Sequence, residues 1–180
     1  MVCVMVCIIH AREWISSATN QFFAQELVQR SESDADVKDL LNTFDFYILP
    51  VLNADGYEYT HTDNRMWRKT RQPNGTDPNR NFAYQWGGQG ASTNACADTY
   101  RGTKAFSEPE TKAVSDFVLS KGTKVKAYLA VHSYGQYWLY PWLFLDFFGE
   151  CNESSRCFFT GGSDLCLWQR ESIGTGVSQL

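Results

Sequence analysis

The sequence is short of positive charge. Lys and Arg number 16 against 20 Asp and Glu, giving a net charge of -4 at pH 7 and a pI near 5.3. A nucleic-acid partner needs a basic surface, so this balance excludes nucleic acid as the main ligand. No apolar run approaches the roughly 20 residues of a membrane-spanning helix, so no membrane partner is expected. Residues 1–9 are apolar but lack a basic n-region and a small-residue cleavage site, and they do not read as a secretion signal. The 6 cysteines match no CxxC zinc pattern. Cys3 and Cys7 lie inside the first apolar segment and read as buried thiols. Nor does the even count establish disulfides in a domain of this size.

What remains is an ordinary globular composition, 43% hydrophobic and 20% charged over 180 residues. That is enough chain for one domain with a sizeable core. Aromatic residues stand out at 15%, with 12 Phe and 9 Tyr, a load suited to deep packing or to a peptide-binding cleft.

The chemistry starts at Ile9-His10-Ala11-Arg12-Glu13-Trp14. Before it, residues 2–9 are apolar and rich in β-branched side chains, which predicts a buried strand. After it, Ile15, Thr19, Phe22, Phe23 and Leu27 recur at helical spacing and predict a helix over 13–30 with that face buried. His10 and Glu13 therefore fall where a strand gives way to a helix. Open α/β sheets place their sites at the carboxyl ends of strands, and a His and a Glu three apart on a first helical turn can share a zinc ion. His-x-x-Glu alone also fits a surface His near a helix start.

Further along, Asp36 is read as the cap of a short helix bearing Leu40 and Leu41. Residues 44–52 read as a second buried strand, stopped by the turn sequence Asn53-Ala54-Asp55-Gly56. From 57 to 102 periodicity fades, as in a long functional loop. Its Arg65, Arg68, Lys69 and Arg71 fit a solvated basic loop, and His61 fits the surface. Ser107-Glu108-Pro109-Glu110 reads as a capping box, with Val114, Phe117 and Val118 as the apolar face of a helix ended by Gly122. Residues 125–131 then form a third strand, and His132 sits at its end. His10, Glu13 and His132, each expected at the same sheet edge, make a His2Glu set of the kind several zinc hydrolases use.

Six segments carry a resemblance: HAREWIS from His10, NADGYEYTHTDNRMWRKTR from Asn53, DPNRNF from Asp77, NACADTYRG from Asn94, SEPET from Ser107 and HSYGQYWLYP from His132. In this order, across about 7–141, they resemble the zinc metallocarboxypeptidases of the pancreatic carboxypeptidase A and B type. The resemblance implies an α/β fold, a mixed, mostly parallel twisted sheet with helices on both faces, incomplete in this chain. It divides the sequence into residues 1–142, a partial catalytic domain, and residues 143–180, a divergent tail. It implies one Zn2+ held by His10, Glu13 and His132, with Arg68 polarising the scissile carbonyl. Asn79 and Arg80 would bind the substrate's terminal carboxylate, and Arg12, Ser133 and Tyr134 would line the groove beyond the scissile bond. Peptide or protein C-termini are the implied substrates, the implied location is extracellular, and a monomer is expected.

The resemblance also has gaps. The stretch 72–76 is shorter than in such enzymes, and the cysteine that would partner Cys96 is missing. The strands, propeptide and secretion signal that precede the first ligand strand are not in this sequence. Past about residue 142 the family's general-base glutamate and its mobile tyrosine have no match, and Glu150, Glu153 and Glu171 take no role. A metallocarboxypeptidase is thus the first reading. The others are an impaired zinc- and C-terminus-binding fragment, or a chain that does not fold stably.

Overall fold

The computed structural model describes residues 1–71 and 74–135, and the backbone of Leu165–Gln169. Most of the 143–180 stretch, with Glu150, Glu153, Glu171 and the tail phenylalanines, lies outside the described residues, as do Gln72 and Pro73. The elements in chain order are β1 (Val2–Cys7), α1 (Trp14–Arg30), α2 (Ala35–Thr43), β2 (Asp45–Leu49), α3 (Ala54–Thr62), α4 (Pro109–Lys121), β3 (Val125–Val131) and β4 (Leu165–Gln169), with 3-10 turns at Pro78–Arg80 and Gly122–Lys124.

Strand β1 is the centre. The sheet order is β2-β1-β3-β4; β1 runs parallel to both neighbours and β4 is antiparallel to β3. A strand with a partner on each edge and a helix on each face needs apolar side chains on both sides. Val2, Val4 and Val6 accordingly pack with Val114 and Val118 of α4. Cys3 and Met5 pack on the other face with Leu129, Phe23 of α1 and Phe46 and Ile48 of β2. Every β1 residue is buried, and each Val or Met contributes about 1.5–3 kcal/mol by leaving water. Burial pushes the Cys3 thiol up to about 11 and the Cys7 thiol up to about 12. Both are free and buried, as the sequence predicts, whereas Cys96 is free and exposed.

Several expectations are corrected. Strand β2 is shorter than 44–52 and alternates exposed with half-buried, because it lies at the sheet edge and only Phe46 and Ile48 face the core. The cap of α2 is Asp34, whose side chain accepts from Asp36 N and Val37 N. Leu40 and Leu41 are exposed. The supposed turn at 53–56 opens α3, with Asn53 Oδ1 accepting from Gly56 N. A side chain at Gly56 would meet Asn53 Oδ1 at 2.5 Å and Lys69 O at 2.7 Å, so Gly is needed there for close approach. No capping box forms at Ser107; Glu108 takes the N-cap position of α4 without a side-chain cap bond.

The largest correction concerns α1. Ile15 and Phe22 are each 62% exposed, and the buried residues are Ser16, Ser17, Asn20 and Leu27. The rotation is set at the first turn. Ser16 Oγ accepts from Ile8 N at 3.2 Å and donates to Glu13 O at 2.7 Å, which turns that face, not the Ile15 face, onto the sheet. Small serines let the helix approach closely, but Asn20 arrives fully buried with neither amide atom hydrogen-bonded among the described residues. Asn20→Leu should therefore raise the unfolding free energy by about 1–3 kcal/mol. The check is a higher urea midpoint at unchanged slope; a lower midpoint contradicts it.

Candidate metal centre

The parallel register of β1 and β3 builds the site. Cys7 pairs with Val131, so both strands end at the same level and His10 and His132 emerge at one sheet edge. Ala11 N donates to Arg68 O at 3.0 Å, and Asn53 N donates to Ile8 O at 3.0 Å. These bonds pin the 8–11 turn between the flanking loops. Glu13 begins the first turn of α1, and its carboxylate turns back to the imidazoles. Its oxygens lie 2.7 Å from His10 Nδ1 and 2.9 Å from His132 Nδ1, and it also accepts from Ser133 N at 3.2 Å.

The two Nδ1 atoms are 3.2 Å apart. Two zinc–nitrogen bonds of ~2.0–2.1 Å at a tetrahedral angle place their nitrogens roughly 3.3–3.4 Å apart. The donor set thus has the spacing of ligands, and a ligand atom from each of the three side chains lies within 4.8 Å of the others. Among the described residues this is the one cluster able to hold a metal.

Asp77 completes the arrangement, and sequence reasoning missed it. It is fully buried. Its Oδ1 lies 3.1 Å from His10 Nε2 and accepts from Asn79 N at 2.9 Å; its Oδ2 accepts from Arg68 Nη2 at 2.9 Å and Nε at 3.3 Å. A carboxylate behind the distal ring nitrogen fixes the imidazole's orientation and leaves Nδ1 for an ion. The available signal was an Asp directly before Pro78, which caps the Pro78–Arg80 turn. Burial alone would lower the His10 pKa, but hydrogen bonds and charge from Asp77 and Glu13 outweigh it and raise it. Burial would likewise raise Glu13 and Asp77. The imidazoles bring Glu13 down to about 2, and His10 with Arg68 holds Asp77 below its usual range.

Among the other predicted residues, Ser133 and Asn79 reach the centre through their backbone N–H groups, to Glu13 and Asp77, while Arg80 and Arg12 bond to other groups. Arg80 donates from Nε to Gly90 O at 3.1 Å and from Nη1 to Asn79 O at 2.9 Å. Arg12 Nη1 reaches Met66 O and Asp98 Oδ2, each at 3.3 Å. Tyr134 is fully exposed. The basic loop is not simply solvated. Arg65 lies over the Trp14 ring at 3.9 Å and Arg71 over Tyr59 at 3.6 Å, while buried Lys69 donates to Ala95 O at 2.7 Å. Exposed His61 stacks on Trp14 with centroids 4.1 Å apart. The loop's aromatic load is thus the counterpart of its cations.

Comparison with known proteins places this geometry. The zinc carboxypeptidase family profile matches residues 1–152. Human carboxypeptidase B is 50% identical over 154 residues, covering 82% of this chain and 37% of that protein. A zinc carboxypeptidase of Simulium vittatum is 49% identical over 140 residues, 74% of this chain and 45% of that protein. Among solved structures, thrombin activatable fibrinolysis inhibitor gives a TM-score of 0.72 at 46% identity, over 75% of this chain and 35% of that one. Carboxypeptidase A from Helicoverpa armigera gives 0.69 at 36% identity, over 75% and 34%. The sequence therefore spans about a third to just under half the length of these relatives. A mixed α/β sheet with helices on both faces, and a profile match over most of the sequence, lead to one conclusion: the chain belongs to the zinc carboxypeptidase family.

Proposed function

We propose that this chain carries the metal-binding part of a metallocarboxypeptidase, which hydrolyses the C-terminal peptide bond of peptides and proteins with one Zn2+. The observation that supports this is the meeting of His10 Nδ1, His132 Nδ1 and the Glu13 carboxylate at one sheet edge. Asp77 ties that edge to Arg68 and to the Asn79–Arg80 turn. His10, Glu13 and His132 are the zinc ligands in this reading. Bound there, zinc supplies a Lewis acid and a water of pKa near ~7.

The chain's own groups do the rest. Arg68 has Nε and Nη2 on Asp77 Oδ2, and Nη1 makes no hydrogen bond among the described residues. That nitrogen is the donor for negative charge developing on a carbonyl oxygen, a contribution worth about 2.7–4 kcal/mol per donor in other enzymes. Arg80 and Asn79 receive the substrate's terminal carboxylate, a planar anion that a guanidinium grips through two parallel hydrogen bonds. An internal peptide offers no such group, so the clamp selects chain ends. Arg12, Ser133 and Tyr134 border the groove on the far side of the scissile bond. An extracellular location and a monomeric state complete the proposal.

The test loads the chain with zinc and offers it a peptide with a free C-terminus and the same peptide amidated. The expected result is release of the terminal residue from the free acid alone, detected by mass. Binding of the free acid without release would select the impaired-fragment reading. Equal handling of acid and amide would overturn the role of Arg80.

A further inference from the structure

A buried polar network connects the start of α4 to the metal centre, and its middle member is Glu108. This carboxylate is 4% exposed and stands at the N-cap position of α4, yet it gives that helix no side-chain cap. Both its oxygens are spent elsewhere. Oε2 accepts from the Thr70 hydroxyl at 2.7 Å and Oε1 from the Ser107 hydroxyl at 2.8 Å.

Thr70 and Thr76 are locked together. Thr70 N donates to Thr76 O at 2.9 Å, and Thr76 N donates to Thr70 Oγ1 at 2.8 Å. Thr70 follows Arg68 by two residues, and Thr76 directly precedes Asp77. These two bonds therefore tie together the neighbours of Arg68 and Asp77, the two side chains that meet beside His10. Asn81 fastens the far side, its Oδ1 accepting from Glu108 N at 3.1 Å and from Thr111 Oγ1 at 2.8 Å. Its Nδ2 donates to Ser107 Oγ at 2.9 Å. No side chain fits at Gly102, where a Cβ would meet Ser107 Oγ at 2.3 Å and Asn81 Nδ2 at 2.7 Å.

Direction matters in this chain of bonds. The Thr70 oxygen already receives Thr76 N–H, and the Ser107 oxygen already receives an amide proton from Asn81. Each hydroxyl has one proton left to give and needs a pure acceptor, which an ionised carboxylate supplies on both oxygens. A carboxamide could serve only one of them. We propose that Glu108 is a positioning residue for the metal centre, acting through Thr70 and Thr76 on Asp77 and thereby on His10 and Arg68. The inference rests on the metal-site reading given above.

The test uses the full chain with cobalt(II) as the probe, read by its visible absorption and its affinity. Thr70→Val keeps the side chain's shape and removes the hydroxyl; Thr70→Ser keeps the hydroxyl; Glu108→Gln removes one acceptor. Outer partners of a metal ligand are worth about 10–100-fold in affinity, and a residue acting through such a partner should pass on part of that. Thr70→Val and Glu108→Gln are expected to weaken cobalt binding by about 3–10-fold and to shift the visible band, with Thr70→Ser unchanged. In an Asp77→Asn background neither should add a further loss, because the path to His10 is already cut. General loosening of the fold would instead add its full effect there.

Native affinity and band in both variants, or the same loss repeated on Asp77→Asn, overturns the proposal while leaving the metal site in place. If Glu108→Gln fails to fold, the Thr70 pair decides alone. Cobalt uptake that survives His10→Ala overturns the metal site itself, and this proposal with it.

Discussion

His132→Ala lowers the zinc affinity of the chain on the order of 10²–10³-fold, and His10→Ala does the same. Zinc held by four ligands at neutral pH is worth roughly 10–16 kcal/mol in small domains, so one of four ligands accounts for about 2.5–4 kcal/mol. The loss is sharp because the strand ends at Cys7 and Val131 hold the imidazoles in register, and no other His, Cys, Asp or Glu among the described residues joins the cluster. Calorimetric titration of the unsubstituted chain and both variants measures it. Equally weak uptake by all three would refute the ligand assignment. Acid should weaken binding too, because zinc requires neutral imidazoles. Asp77 and Glu13 hold the His10 pKa above its ordinary value, so proton competition there begins at a higher pH than for a free imidazole.

Asp77→Ala is the second large effect, and it strikes stability and metal affinity together. The Asp77 side chain is 0% exposed and its partner Arg68 15% exposed. Removing the carboxylate leaves a guanidinium nearly buried without its counter-charge, at a cost of about 3–5 kcal/mol. It also frees His10 Nε2, which should cost about 10–100-fold in zinc affinity. Urea unfolding and zinc titration read the two separately. Asp77 has a depressed pKa in the fold. Its contribution to stability is therefore complete above the ordinary carboxylate pKa of ~3.9 and is lost as pH falls through the lowered value. The stability gap between the native chain and Asp77→Ala should close in strong acid. A gap that stays constant to low pH would show that the carboxylate's charge is not what holds the loop.

The site residues with chemistry of their own could be found in one dimension. His10, Glu13 and His132 sit beside apolar runs that end where strands end, and in a parallel sheet strand ends converge. Strand β3 lies where its β-branched and apolar run places it, and β1 falls within the predicted 2–9. What failed were assignments that depend on rotation about an axis. The face of α1 is invisible in hydropathy because Ser16 and Ser17 are buried, Ser16 accepting from Ile8 N, while Ile15 and Phe22 lie outside. Asn53-Ala54-Asp55-Gly56 reads equally well as a turn or a capped helix start. The choice was made by contacts far along the chain, where Asn53 Nδ2 donates to Lys69 O at 3.0 Å.

The sequence by itself determined the family, the central strand, the free buried thiols and the three side chains of the candidate metal centre, because those follow from local apolar runs and from residue types at fixed spacing. Only the tertiary structure decided that Asp77 joins His10 to Arg68, that Glu108 serves Thr70 rather than its own helix, and that Arg65 and Arg71 of the long loop lie on aromatic rings. Each of those is a bond between segments distant in the chain. Hydrogen-bond partners for buried polar groups are chosen by whatever donors and acceptors the fold brings within reach, and no spacing along one segment records that choice.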